Sequence, residues 1–289
     1  MAVQAMRYFV SFLILFFAFS DFAAAQDRAQ QTVIPLWQDG PPGFEAYWDV
    51  PERAEDWWVR DIHQPSLTLF PPDENSSNTA IIVVPGGGHK DLVFNAEGVE
   101  PAKYLQNLGI TAFALKYRLS RQDASPYDIE TDAAEDLRRA VRYVRARSED
   151  YGIERIGIMA FSAGGELANL VTYYPTDGNS ESTDPIERVS AKPDFMIQIY
   201  PGPIGLPDHF AAPPPPAFFL AAFDDKGPEL TISRHLDMYR QAGVPAEVHV
   251  FAQGGHAFNL GDRSNLKTIS NWRNRLTDWM NDSGYLGQE

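Results

Sequence analysis

Apolar residues fall in two kinds of block along this chain. Ala80–Val84 is an unbroken apolar run stopped by Pro85-Gly86-Gly87-Gly88, as expected of a strand covered on both faces, which has no solvent side to carry polar residues. Leu67–Phe70, Thr111–Tyr117, Arg155–Ala160, Phe195–Ile199, Phe218–Ala222 and Val248–Phe251 read as further strands. Between them the apolar period lengthens. Ala134, Leu137, Val141 and Val144 lie three or four apart and predict a helix over Thr131–Tyr151, ended by Gly152. Helices are also predicted over Glu100–Leu108, Ala163–Tyr174, Ser233–Ala242 and Asn265–Met280. Strands alternating with helices imply an α/β fold, a mainly parallel central sheet with helices on both faces. Pro175–Pro193 and Gly202–Pro216 read as loops, with Pro213–Pro216 a stiff connector into the next strand. Residues 26–58, rich in Trp, Pro and Gly, read as an irregular segment laid across the domain.

The N-terminal block has another character. Arg7 precedes the uncharged, mostly apolar Tyr8–Ser20, and Ala23-Ala24-Ala25 follows, the layout of a signal peptide cleaved after Ala25. The apolar run is shorter than the roughly 20 residues that span a bilayer, so no stable membrane insertion is expected after cleavage. Residues 26–289 are then expected to form one catalytic domain, in the periplasm or outside the cell.

Composition narrows the chemistry. A net charge of −15 over 289 residues disfavours nucleic acid or an anionic membrane as partner, because polyanions are held by clustered Lys and Arg. The absence of cysteine excludes disulfides, thiolate nucleophiles and zinc–thiolate sites. No HExxH and no EF-hand loop occurs, so neither a metal nor a cofactor is implied.

What remains is a serine. Ile156–Gly165 places Ser162 between a strand and a helix among small residues, the nucleophile-elbow arrangement of the α/β-hydrolase fold, in which a sharp turn lifts the hydroxyl above the sheet. The first position of the usual G-x-S-x-G pattern is Ala160, one methyl more at a crowded turn. A serine hydroxyl needs a base, and the base needs an acid to set its tautomer. In this fold they follow in the order serine, acid, histidine. Of the six histidines, only His256, in the loop after Val248–Phe251, has that order and a flexible site at a strand's C-terminal end. Asp224 and Asp225 both follow Phe218–Ala222, and spacing alone leaves the acid between them. The glycines after Ala80–Val84 leave backbone amides open to a substrate carbonyl, so Gly87 and Gly88, with the amide of Ala163, are the expected oxyanion-hole donors.

The motifs also carry a resemblance. Pro35-Leu36-Trp37, Gly40-Pro41-Pro42-Gly43, His63–Thr68, Pro85–Gly88, Glu97-Gly98, Lys116-Tyr117-Arg118, Phe161–Gly165, Tyr200-Pro201 and Gly254-Gly255-His256 together resemble the bacterial α/β-hydrolases of the acetylxylan esterase-like and feruloyl esterase-like (BD-FAE) family. The resemblance implies an exported enzyme that removes acyl groups from a small-molecule or oligosaccharide ester through a covalent acyl-enzyme. It also implies that the second aspartate, Asp225, is the acid. Where such relatives have Gly at 160, Tyr-Gly at 89–90 and Gly at 257, this chain has Ala160, His89-Lys90 and Ala257. His89-Lys90 is expected to reshape the acyl or alcohol pocket, and a short Tyr200–Pro213 segment to leave the site open. A prolyl-oligopeptidase-like peptidase, or a relative that binds carbohydrate without catalysis, are the rival expectations.

Overall fold

The computed structural model describes residues 32–72 and 76–287, so the expected signal segment 1–25 lies outside the described residues. Eight strands form one sheet within the unit Val33–Glu289. In chain order the strands are β1 (Val33–Pro35), β2 (Arg53–Ala54), β3 (Val59–Arg60), β4 (Ser66–Phe70), β5 (Thr79–Val84), β6 (Thr111–Lys116), β7 (Arg155–Phe161), β8 (Phe195–Ile199), β9 (Ala217–Ala222) and β10 (Ala246–Phe251). The sheet runs β1-β4-β6-β5-β7-β8-β9-β10, while β2 and β3 pair apart from it. Within the eight-stranded sheet the β1–β4 and β4–β6 pairings are antiparallel, and every pairing from β6 to β10 is parallel.

Every residue of β5, β8 and β9 is buried, because helices cover both faces. Ile82 and Val84 point into a core shared with Leu137, Val141, Val144 and Leu167. Ile81 and Val83 point the other way, toward Ala102, Leu105, Trp272, Leu276 and Met280. Gly157 is required within β7, since a Cβ there would lie 2.3 Å from the Phe195 ring. Past β6, Arg118 is clamped by Asp136, whose carboxylate accepts its Nη2 at 2.7 Å and its backbone amide at 2.8 Å. Both side chains are almost wholly buried, so the pair fastens the Ala134–Ala146 helix to the sheet.

Several predicted helices differ in their ends. Thr131–Tyr151 is a wide π turn over Ile129–Ala133, an α-helix over Ala134–Ala146, and a final turn over Ser148–Tyr151. The Asp128 carboxylate caps the first piece, accepting the amides of Glu130 and Thr131. Arg147 interrupts the helix, its amide divided between the carbonyls of Tyr143 and Val144. The Ser233–Ala242 helix begins earlier, at Pro228, whose ring presets the first helical φ. Asn265–Met280 breaks at Asn271 into Lys267–Ser270 and Trp272–Asp282, and Trp272 turns inward to donate Nε1 to the Asn259 carbonyl at 3.1 Å. β1, within the segment expected to be irregular, pairs with β4 at the sheet edge; three residues are too few for a periodic signal. Among the described residues no helix is long and apolar enough to cross a membrane, and no group of His, Asp and Glu is arranged to hold a metal ion.

Candidate active site

Parallel strands end together, so the loops after β5, β7, β8, β9 and β10 share one edge of the sheet. At the end of β7, Ser162 has φ 49° and ψ −117°, a strained conformation for a non-glycine residue that costs about 1–3 kcal/mol. Neighbouring backbone holds it there. The Ser162 amide donates to the Ile199 carbonyl at 3.0 Å, and its own carbonyl accepts the amides of Gly165 and Gly202. Two glycines make the turn sterically feasible. A Cβ on Gly164 would lie 2.2 Å from the Val84 carbonyl oxygen, and one on Gly86 would lie 2.7 Å from the Ser162 Cβ. Ala160 keeps regular ladder pairing with Val84 and Gln198, and its methyl belongs to the core. The close approaches at the elbow are thus made by Gly164 and Gly86.

Although Ser162 stands at the N-cap of the Ala163–Tyr173 helix, its hydroxyl makes no capping bond. Oγ lies instead 2.8 Å from His256 Nε2. His256 Nδ1 is 2.7 Å from Asp225 Oδ2. The Asp225 side chain is 9% exposed and that of His256 43%. Asp224 faces elsewhere: its carboxylate accepts the amides of Gly254 (2.9 Å) and Gly255 (2.8 Å). Those bonds, first that of Gly255 and then that of Gly254, hold its carboxyl below the usual aspartate range.

On the other side of Ser162, Gly87 (φ 125°) and Gly88 (φ 66°) need glycine backbone freedom. The Gly87 carbonyl accepts the amides of Lys90 and Asp91, which folds the loop back on itself. Among the described residues the amides of Gly87, Gly88 and Ala163 have no hydrogen-bond acceptor, so three donors beside the serine are free for a ligand oxygen. His89 differs from expectation. Its left-handed backbone (φ 60°) turns the ring into the protein, where it is fully buried with Nε2 2.8 Å from Glu166 Oε2. It therefore anchors the loop to the elbow helix, while Lys90 stays exposed.

Three of the other four histidines have structural partners: His235 is buried between the Thr231 carbonyl and Asn169, His249 pairs with Glu247, and His63 with Tyr127. Two surface cavities, of about 390 and 500 Å³, are lined by residues other than Ser162, Asp225 and His256. Ser162 itself is partly exposed, and the His256 side chain is nearly half-exposed.

Three residues without an expected role also meet here. The Tyr200 ring lies 4.7 Å from that of His256, centroid to centroid. Tyr200 Oη donates to Glu97 Oε1 at 2.9 Å and accepts the Asn259 amide at 3.1 Å. Glu97 is 2% exposed, and burial pushes its carboxyl above the usual range, opposed by the hydrogen bonds it accepts. A lone glutamate followed by glycine has no periodicity or spacing to mark it. The available signals were its place shortly after the glycine loop and the Glu97-Gly98 motif among those that carry the family resemblance.

A mainly parallel sheet, a strained serine at a strand-to-helix turn, and acid and histidine on later strand ends define an α/β-hydrolase. Residues 67–206 match the BD-FAE family of α/β-hydrolases. It is 27% identical over 244 residues, 74% of this chain, to an acetylxylan esterase of Xylanibacter ruminicola. It is 30% identical over 171 residues, 57% of this chain, to endo-1,4-beta-xylanase B of Butyrivibrio fibrisolvens. The chain spans 49% and 24% of those two proteins. Among solved structures it is similar to the acetyl ester-xyloside bifunctional hydrolase of Caldicellulosiruptor lactoaceticus, at 27% identity and a TM-score of 0.71, with 89% of this chain and 98% of the other covered.

Proposed function

We propose that this chain is a carboxylic-ester hydrolase that removes acyl groups, acetyl foremost, from carbohydrate esters through a serine acyl-enzyme. The observation that carries the reading is the unbroken relay from Ser162 Oγ to His256 Nε2 at 2.8 Å and from His256 Nδ1 to Asp225 Oδ2 at 2.7 Å. Ser162 Oγ attacks the ester carbonyl carbon as His256 Nε2 takes its proton, and Asp225 fixes the tautomer and stabilises the imidazolium. The carbonyl oxygen becomes an oxyanion held by the amides of Gly87, Gly88 and Ala163. His256 returns the proton to the departing sugar hydroxyl. Water, deprotonated by His256, then releases the acid and frees Ser162. The acetylxylan esterase and acetyl ester-xyloside hydrolase relatives support the acetyl-carbohydrate part of the reading. Residues 1–25 act as the export signal and 26–289 as the catalytic domain, which would bring the enzyme to substrates too large to enter a cell.

Labelling with a fluorophosphonate, followed by acetate release from acetylated xylo-oligosaccharides, tests the proposal. Stoichiometric labelling at Ser162 is expected, with Ser162→Ala inert and within about 1 kcal/mol of wild-type stability. A folded wild type that neither labels nor releases acetate would overturn it.

A further inference from the structure

Glu97 is an ionisable group in a place where ions are costly. Burying a carboxylate costs several kcal/mol unless its oxygens are fully hydrogen-bonded. Here they are. Oε2 accepts the Gly86 amide at 2.8 Å. Oε1 accepts Tyr200 Oη at 2.9 Å. The Asn259 amide satisfies all its neighbours when Nδ2 faces Glu97 Oε1 (2.9 Å), Tyr200 Oη (3.0 Å) and the Ala257 carbonyl (3.2 Å), with Oδ1 accepting from Arg263 at 2.6 Å.

Those partners come from three loops. Gly86 opens the glycine loop after β5, Tyr200 follows β8, and Asn259 lies three residues beyond His256. Tyr200 (φ 40°), Ala257 (φ 57°) and Asn259 (φ 50°) are all non-glycine residues with left-handed backbone. Strain of that kind persists only where surrounding contacts over-determine it, and the polar groups of Tyr200 and Asn259 converge on one carboxylate. Glu97 itself is delivered by the wide π turn Asn95–Val99, a turn type frequent at functional sites. That turn packs against the loop at Gly98, where a Cβ would meet Pro85 at 3.1 Å.

We propose that Glu97 is a positioning residue: through Gly86 on one side and Tyr200 with Asn259 on the other, it fixes the glycine loop and the histidine loop relative to each other around Ser162. The inference rests on the esterase reading. Loss of the hub displaces the oxyanion donors and the imidazole by a fraction of an ångström, and errors approaching 1 Å cost catalysis on the order of 10²-fold.

The test compares wild type, Glu97→Gln and Tyr200→Phe, with kcat and KM for p-nitrophenyl acetate measured per serine titrated by a fluorophosphonate. Glu97→Gln keeps the shape but presents an amide NH₂ to donors that need an acceptor. The expected result is a fall in kcat per titrated site of about 10- to 100-fold with KM within about twofold. Tyr200→Phe keeps the ring on His256 and loses only the hydroxyl, so a smaller fall of the same kind is expected. A merely structural Glu97 would lower melting temperature or the number of titratable sites while kcat per site stayed at the wild-type value, and that result overturns the proposal. If Glu97→Gln does not fold, Tyr200→Phe decides alone, and a wild-type kcat per site in that variant overturns it equally. A wild type that neither labels nor hydrolyses the ester would instead defeat the esterase reading, so the two failures are distinct.

Discussion

Asp224 and Asp225 are adjacent in sequence and hold different parts of one loop: Asp225 Oδ2 lies 2.7 Å from His256 Nδ1, while Asp224 accepts the backbone amides of Gly254 and Gly255. The first meets the ring and the second the backbone that carries it. Asp225→Asn should lower kcat by about 10³- to 10⁴-fold, because an amide there favours the wrong imidazole tautomer. Asp224→Asn retains an acceptor oxygen for Gly254 and Gly255 and should cost about tenfold or less. Steady-state assays of both variants with p-nitrophenyl acetate check the ranking, and equal losses would contradict the division of roles.

Glycine substitutions at Ala160 and Ala257 should move stability in opposite directions. Ala160 lies in a regular buried strand, so Ala160→Gly loses a methyl and adds unfolded-state freedom, about 1–2 kcal/mol less stable. Ala257 sits at φ 57°, where an L side chain costs roughly 1–2 kcal/mol. Ala257→Gly relieves that strain and should come out near 1 kcal/mol more stable. Urea unfolding midpoints for the two variants read the signs directly.

The Arg118–Asp136 clamp should be intolerant of losing one side. Asp136→Ala leaves a buried guanidinium without its main partner and should cost about 3–5 kcal/mol in the same urea measurement. Wild-type stability in that variant would show that Asp132 and water suffice.

Acid should unfold the protein partly through His235. Burial lowers its pKa from 6.5 to about 3, so the folded protein keeps it neutral while the unfolded chain protonates it. The unfolded state then binds the extra proton, and stability falls as pH drops from about 6.5 to about 3, by up to about 1.4 kcal/mol per pH unit. Above that window the contribution is fully present. Urea titrations across it should show a flatter slope for His235→Gln than for wild type, and unchanged slopes would remove His235 from the account.

Much of this protein was legible in its one-dimensional pattern. Buried parallel strands must be apolar throughout, so Ala80–Val84 and Phe195–Ile199 stood out, and their order with the helices implied the α/β sheet. The placement of Ser162, His256 and the glycine loop at one edge of the sheet was legible because the fold sets such loops at strand ends, which fixes their order along the chain. The choice of Asp225 over Asp224 came from the family resemblance and not from spacing, since two neighbouring side chains on a turn diverge by backbone direction alone. The inward turn of His89 was not legible, because it depends on a left-handed φ that composition does not encode. Glu97 was hidden for a deeper reason: its hydrogen-bond partners Gly86, Tyr200 and Asn259 lie up to 162 residues away in sequence. Only closure of the sheet edge brings those polar groups together, and only then does burial convert a glutamate into a hub.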